Sequence, residues 1–251
     1  MRRPSLHIAI AVLLVSAGCS MVGTDTVRQP EAVDHLDGAR ERIDGVTSFR
    51  YNMTVSATGG DERITGHGVG AVNATTRRQV VNLSIDGRRS VSYFDNRTAF
   101  TECSGPAGDG FWGRQNRSEV SNWTALTPVG RQLELLSTGD LYDNGTETID
   151  GRTVVHLSGR PTPASLRESR ADTHPVPVIG GPNVDSLRLD LWLDAETERP
   201  VRSELRVVVS QDGETGTATV TTEYRDYGEP VRISIPDGIR ADAFRNGCPG
   251  S

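Results

Sequence analysis

Four leucines at every second position, Leu187, Leu189, Leu191 and Leu193, alternate with Arg188, Asp190, Trp192 and Asp194. Side chains of a strand point alternately to its two faces, so this run makes a strand with one apolar and one polar face. After a turn over 194–199, Val201, Leu205, Val207 and Val209 continue the apolar side. After a second turn over 211–216, Val220 and Tyr224 continue it again. A chain built on such a meander must press one sheet face onto a core and leave the other in water.

The same grammar runs through the first half. The segments 48–58, 63–72, 77–85, 89–94 and 97–102 are alternating or β-rich. Gly59-Gly60, Asn73-Ala74, Asp86-Gly87 and Asp95-Asn96 separate them as hairpin turns, so neighbours should pair antiparallel. Strands over 147–149 and 153–158 flank Asp150-Gly151, and a strand over 230–235 should close the meander. Helical spacing is confined to three short stretches. Glu31 to Asp44 has Leu36, Ala39 and Ile43 on one face, with Pro30 before it and Gly45 after it. Pro128 to Ser137, with Val129, Leu133 and Leu136 on one face, starts with proline at its first position. Pro163 to Arg170 is the third. The segments 103–117 and 172–185 are Gly- and Pro-rich and read as loops, and long loops are often functional.

The N-terminus is an export signal. Arg2 and Arg3 precede an apolar run from Ile8 to Val15, and the small residues Ser16, Ala17 and Gly18 lead directly to Cys19. The run is too short to span a bilayer, which takes roughly 20 apolar residues. Ala17, Gly18 and Cys19 resemble the lipobox of bacterial and archaeal lipoproteins; a plain secretory signal cut beside a chance cysteine is the alternative. The resemblance implies a signal peptide over 1–18, a tether over 19–30 anchored by lipid on Cys19, and one domain over 31–251. The expected place is the outer face of the cell membrane, with a palmitate-type acyl anchor.

Composition narrows the partners. Every basic residue is arginine, and the formal net charge is -6. An acidic surface argues against nucleic acid. The acidic, arginine-only composition resembles that of surface lipoproteins of halophilic archaea. Once Cys19 is set aside, Cys103 and Cys248 read as one disulfide of an exported protein, contributing ~4 kcal/mol through chain entropy; two unrelated buried thiols are the alternative. Asn52, Asn73, Asn82, Asn96, Asn116, Asn122 and Asn144 all open Asn-x-Ser/Thr sequons. That is more than Ser and Thr content alone would give, and it marks a glycoprotein. Asn52 and Asn82 fall on the strand face opposite Tyr51, Met53 and Val55, and opposite Leu83 and Ile85.

The stretches LWLDAETERPVRSELRVVV and TTEYRDYGEPVRISIP resemble the closing hairpins of the LolA/LppX-like lipoprotein family, of the LppX/LprG type. The residue matches are Asp194, Pro200, Tyr224, Asp226, Tyr227, Gly228, Pro230 and Pro236. In order of elements the likeness runs from Glu31 to Pro236. It implies an α+β, mostly antiparallel fold, a curved half-barrel sheet with a few helices on its concave side. It also implies a role in carrying or sensing lipids or lipidated proteins. The residues expected to line a ligand cavity are Leu189, Leu191, Leu205, Val207, Val220, Tyr224, Leu133 and Leu136. Phe111 and Trp112 would form one lip of its mouth and the loop 172–185 the other.

No enzyme is expected. There is no Gly-x-Ser-x-Gly elbow, phosphate loop or paired-cysteine metal signature, and His35, His67, His156 and His174 are not at metal-ligand spacing. Asp190 and Asp194 read as solubilising residues of the outer face rather than an acid–base pair. No cofactor or metal is expected. The two functional readings are a monomeric, membrane-anchored carrier of a lipid-like ligand and a surface interaction or sensor module that binds a protein partner and has no cavity.

Overall fold

The structure is a computed structural model that describes residues 26–103, 110–116, 122–164, 184–211, 213–245 and 247–248. The signal peptide, Cys19, and residues 165–183, which hold most of the helix expected over 163–170 and of the mouth loop expected over 172–185, lie outside the described residues.

Twelve strands form one sheet in the order β12-β6-β5-β4-β3-β2-β1-β11-β10-β9-β8-β7. In chain order they are β1 Ser48–Gly59, β2 Glu62–Asn73, β3 Arg78–Ile85, β4 Arg88–Asp95, β5 Thr98–Glu102, β6 Trp112–Asn116, β7 Asp140–Ile149, β8 Arg152–Arg160, β9 Val184–Asp194, β10 Pro200–Gln211, β11 Glu214–Arg225 and β12 Phe244–Arg245. The hairpin turns fall where Gly and Asp provide left-handed backbone, as at Asp86-Gly87 and Asp150-Gly151, whose φ angles are all positive. The first and last strands of the main meander, β1 and β11, pair along their whole length from Arg50↔Arg225 to Gly59↔Gly216.

The curved antiparallel half-barrel expected from the resemblance is corrected. The sheet is open, with edges at β12 and β7, and is neither closed nor strongly curved. It is also mixed, because β12 runs parallel to β6. Alternation assigns residues to faces and carries no information on curvature, so that part of the expectation rested on the resemblance alone. The α+β character stands, with few and short helices.

Helix α1 (Pro30–Asp44) buries Ala32, Leu36, Ala39 and Ile43, and α2 (Pro128–Leu136) buries Val129, Leu133, Leu135 and Leu136. The hydroxyl of Thr127 caps α2 by accepting from the Gly130 amide at 3.2 Å. The two helices pack on each other, α1 against β7 and α2 against β8 and β9. Arg28 closes this corner. Its guanidinium donates to the carbonyls of Leu136, Ser137 and Gly139 at 3.0–3.1 Å, a cation on the open C-terminus of α2. The chain following the tether is thereby fixed at the β7 edge.

The segment 229–236 is a second correction. It is not a strand but a strap, since Pro230 and Pro236 have no N–H to give a ladder. Side chains at the ends of the first three strands hold its carbonyls instead. Ser48 donates to Glu229 O, Arg50 to Pro230 O, Asn73 to Val231 O and Arg78 to Ile233 O. Helix α3 (Asp237–Asp242) and β12 follow, and a disulfide joins Cys248 to Cys103, Cα to Cα 5.5 Å. Further strands escaped the sequence reading: β6, inside a Gly-rich loop, the two-residue β12, and the first half of β7, whose alternation is broken by a bulge at 143–146.

Candidate functional site

Cross-strand register places Leu187, Leu189, Leu191 and Leu193 on the face that carries Leu205 and Val207, then Val220 and Tyr224, then Tyr51 and Val55. Across β2 that face consists of Gly66, Gly68 and Gly70, and across β3 of Val81, Leu83 and Ile85. The glycines are there because their neighbours lie across them. A Cβ on Gly70 would sit 2.1 Å from the Tyr51 ring, and one on Gly68 3.2 Å from both Met53 and Leu83. Sequence reading passed over this stripe, although three glycines at every second position in a strand are its signature.

The face divides in two. Leu133, Leu136, Leu189, Leu191, Val207 and Tyr224 belong to one buried cluster with α1 and α2, and Leu205 packs against it. Val220 belongs to a second cluster with Val55 and Leu83, against which Met53 and Ile85 pack. All members of this second cluster are sheet residues. On the same face Tyr51 and Gln79 are 1 % exposed, and the Tyr51 hydroxyl and Gln79 Oε1 have no hydrogen-bond partner. Burial pushes the Tyr51 phenol well above its ordinary range, so it stays a neutral donor. An unpaired buried hydroxyl costs about 1–3 kcal/mol.

The opposite face is polar, but not merely solvated. Asp190 is 8 % exposed and accepts two hydrogen bonds from Arg188, at 2.7 and 2.8 Å. His156 Nε2 lies 2.9 Å from the same carboxylate, and its ring stacks on Trp192 at 4.7 Å. The Trp192 indole N–H donates to Glu147, and the Arg202 guanidinium lies over its other side, 5.3 Å from the ring. Asp190 is therefore a structural anion and not a solubilising one. Burial pushes its pKa up, yet the bonds and charges of Arg188 and His156 outweigh that and hold it at about 2. A carboxyl lowered from 3.8 to about 2 adds stability above pH 4, and this is lost as pH falls from about 4 to 2. The difference is about 2 kcal/mol. Asp190→Asn should flatten the acid limb of the stability–pH curve measured by urea unfolding; an unchanged limb would show that Asp190 is not its source. Among the described residues no group of three or more His, Cys, Asp or Glu gathers to hold a metal ion.

No family model and no curated protein matches the chain. Solved structures do. The lipoprotein LppX of Mycobacterium tuberculosis superposes with a TM-score of 0.51 at 16% identity, over 82% of this chain and 100% of that one. The fold is similar to that of LppX. LprF from Mycobacterium bovis matches at 18% identity over 83% of this chain and 98% of its own, but its TM-score of 0.45 is too low to carry an argument. Neither source is archaeal. At these identities the likeness to LppX speaks for the fold alone.

The sequons all lie away from the apolar face or at its rim. Asn52 and Asn82 flank Val69 in one row of the polar face, and Asn96, Asn116, Asn122 and Asn144 are exposed at turns and strand ends. Two have occupied amides. Asn73 donates to Val231 O at 2.6 Å, and Asn144 donates to Ser158 Oγ at 3.0 Å and His156 O at 3.3 Å. Of the expected lip residues, Phe111 is 49% exposed, while Trp112 is half-buried against Tyr93.

Proposed function

We propose that this chain is a membrane-anchored extracytoplasmic lipoprotein whose apolar sheet face binds a lipid-like ligand, and that it is not an enzyme. The observation that carries the reading is the second apolar cluster, Val55, Leu83 and Val220, built from sheet residues, on the face that also carries the unpartnered Tyr51 hydroxyl and Gln79 Oε1. A ligand with a long apolar body and one polar group matches both features. The LppX-like fold and the lipoprotein signal ending at Cys19 support the same reading. Apolar surface facing a void loses about 25 cal/mol per Å² relative to dry burial, so occupancy should stabilise the fold. Delipidated protein should unfold at a higher temperature with fatty acid or membrane lipid than without.

A second reading, an interaction module with a filled interior, is favoured by the complete burial of Leu136, Leu189, Leu191 and Val207 against one another. Absence of any lipid-induced shift would leave that reading standing.

Lipid on Cys19 is the proposed anchor, giving a monomer on the outer face of the membrane. Cys19→Ala should release the chain from the membrane or leave its precursor uncut; a variant processed and membrane-bound like the parent would falsify the anchor. Glycans are proposed on the sequons with unoccupied amides, with Asn82, Asn96 and Asn116 foremost. Asn73 and Asn144 should be the poorest acceptors, because a glycan replaces one Nδ2 hydrogen of an amide that already donates to Val231, or to Ser158 and His156. Glycopeptide mass spectrometry on protein from its own host checks this ordering.

A further inference from the structure

A pocket of about 280 Å³ opens at the sheet end where β8 and β10 begin and β9 and β11 finish. It is lined by Arg152, Arg199 and Arg225, by Asp194 and Asp226, and by Tyr227 among others. Of the residues assigned to the ligand cavity, only Tyr224 also lines it.

The charges in it are unevenly committed. Asp194 serves its own turn, accepting from the Thr197 amide at 2.8 Å, the Thr197 hydroxyl at 2.9 Å and the Glu196 amide at 3.2 Å. Although burial pushes the carboxyl up, these bonds and the nearby charge of Arg152 hold it below its ordinary value. Asp226 is shared by two cations, Arg225 at 2.8 Å and Arg50 at 3.6 Å. Both carboxylates are thus occupied. Among the described residues no ion pair closes on Arg152 or on Arg199. Arg199 is also oriented. Its guanidinium lies 5.7 Å from the centre of the Tyr227 ring, and that ring is fixed by a 2.8 Å hydrogen bond from its hydroxyl to Pro200 O. The Arg199 Nε is buried with no partner. In a protein of net charge -6, a concavity lined by three arginines and two aspartates, with no close ion pair on Arg152 or Arg199 among the described residues, is a local reversal of sign.

We propose that this pocket binds an oxyanion of the phosphate class, with Arg152 and Arg199 as its ligands. The guanidinium fork matches phosphate oxygens with paired N–H donors, and Arg199 is already positioned over the Tyr227 ring. A phosphate group can come from a free anion or from the headgroup of an anionic lipid, and the chemistry at the arginines is the same.

The test is isothermal titration calorimetry of the full chain with inorganic phosphate, beside flotation on vesicles of phosphatidylglycerol or of phosphatidylcholine. Arg152→Gln/Arg199→Gln is compared with the exposed control Arg89→Gln, each verified as folded by its thermal transition. Saturable phosphate binding that weakens at least tenfold in the double variant and not in the control supports the site. Arginine-dependent flotation on phosphatidylglycerol alone, with no free phosphate bound, assigns it to a headgroup. If the double variant does not fold, Arg152→Lys, at an exposed position, keeps the charge but loses the fork and should still weaken binding. Absence of binding in both arms, or binding equal in the folded variants and the parent, overturns the proposal. The fatty-acid arm of the unfolding test carries no phosphate and bears on the apolar face alone, so the two fail separately.

Discussion

Replacing both Cys103 and Cys248 by alanine lowers the free energy of unfolding by about 4–5 kcal/mol. The bond joins residues 145 apart in sequence, and closing so long a loop removes much of the entropy of the unfolded chain. What it holds is local to one edge of the sheet. The strap over 229–236 ends in α3 and in the two-residue strand β12, which pairs only with Gly113 and Arg114. Beneath it Phe100, Ile235 and Ala243 form a small cluster with Tyr93, Trp112 and Ile239 around them. Without the bond this edge has few contacts to keep it closed. Urea unfolding should show a lower midpoint and also a steeper slope, since the unfolded state is no longer cross-linked. A loss under about 1 kcal/mol would mean the strap is held by its hydrogen bonds and the bridge adds little.

Gly70→Ala destabilises the fold by about 3 kcal/mol, the upper end for overpacking a core. The added carbon would overlap the Tyr51 ring, whose nearest atom lies at 2.1 Å. Tyr51 cannot step aside. It is 1 % exposed, with Phe49 and Tyr224 at ring-centre distances of 6.3 and 6.5 Å. In a chain of this size that loss lowers the unfolding temperature by roughly 6–12 °C. The mechanism has its own check, because Tyr51→Leu removes the ring that the new carbon meets. The double variant should then cost less than the two single losses added together. Strict additivity would place the strain elsewhere.

The sequence disclosed the faces of this sheet better than its shape. Leu187 to Leu193 and the residues opposite them in β10 and β11 fell on the expected side, because period-two alternation is a direct consequence of strand geometry. The two longer helices were equally legible, since Pro30, Gly45 and Pro128 punctuate them. Curvature was not legible, as it depends on how twelve strands coil together and on no single residue. The strap over 229–236 looked like a strand because Val231, Ile233 and Ile235 alternate; all three are indeed buried, but against strand ends and without a ladder. The polar features had no local signal. Arg152 and Arg199 are distant in sequence, as are His156 and Asp190, and only the pairing of β8, β9 and β10 brings them near. The strand over 63–72 was expected, and the glycine stripe within it was open to reading but passed over.

The central claim, that the apolar face holds a lipid-like ligand, is tested most directly by mass spectrometry of organic extracts. The chain bearing Cys19→Ala, purified folded from membrane-containing lysate, carries no covalent anchor to confuse the extract. The account predicts a lipid with a long acyl chain, non-covalently retained and stoichiometric with protein. An extract with no lipid above the level of an unrelated protein purified alongside, from a preparation that unfolds cooperatively, would contradict it.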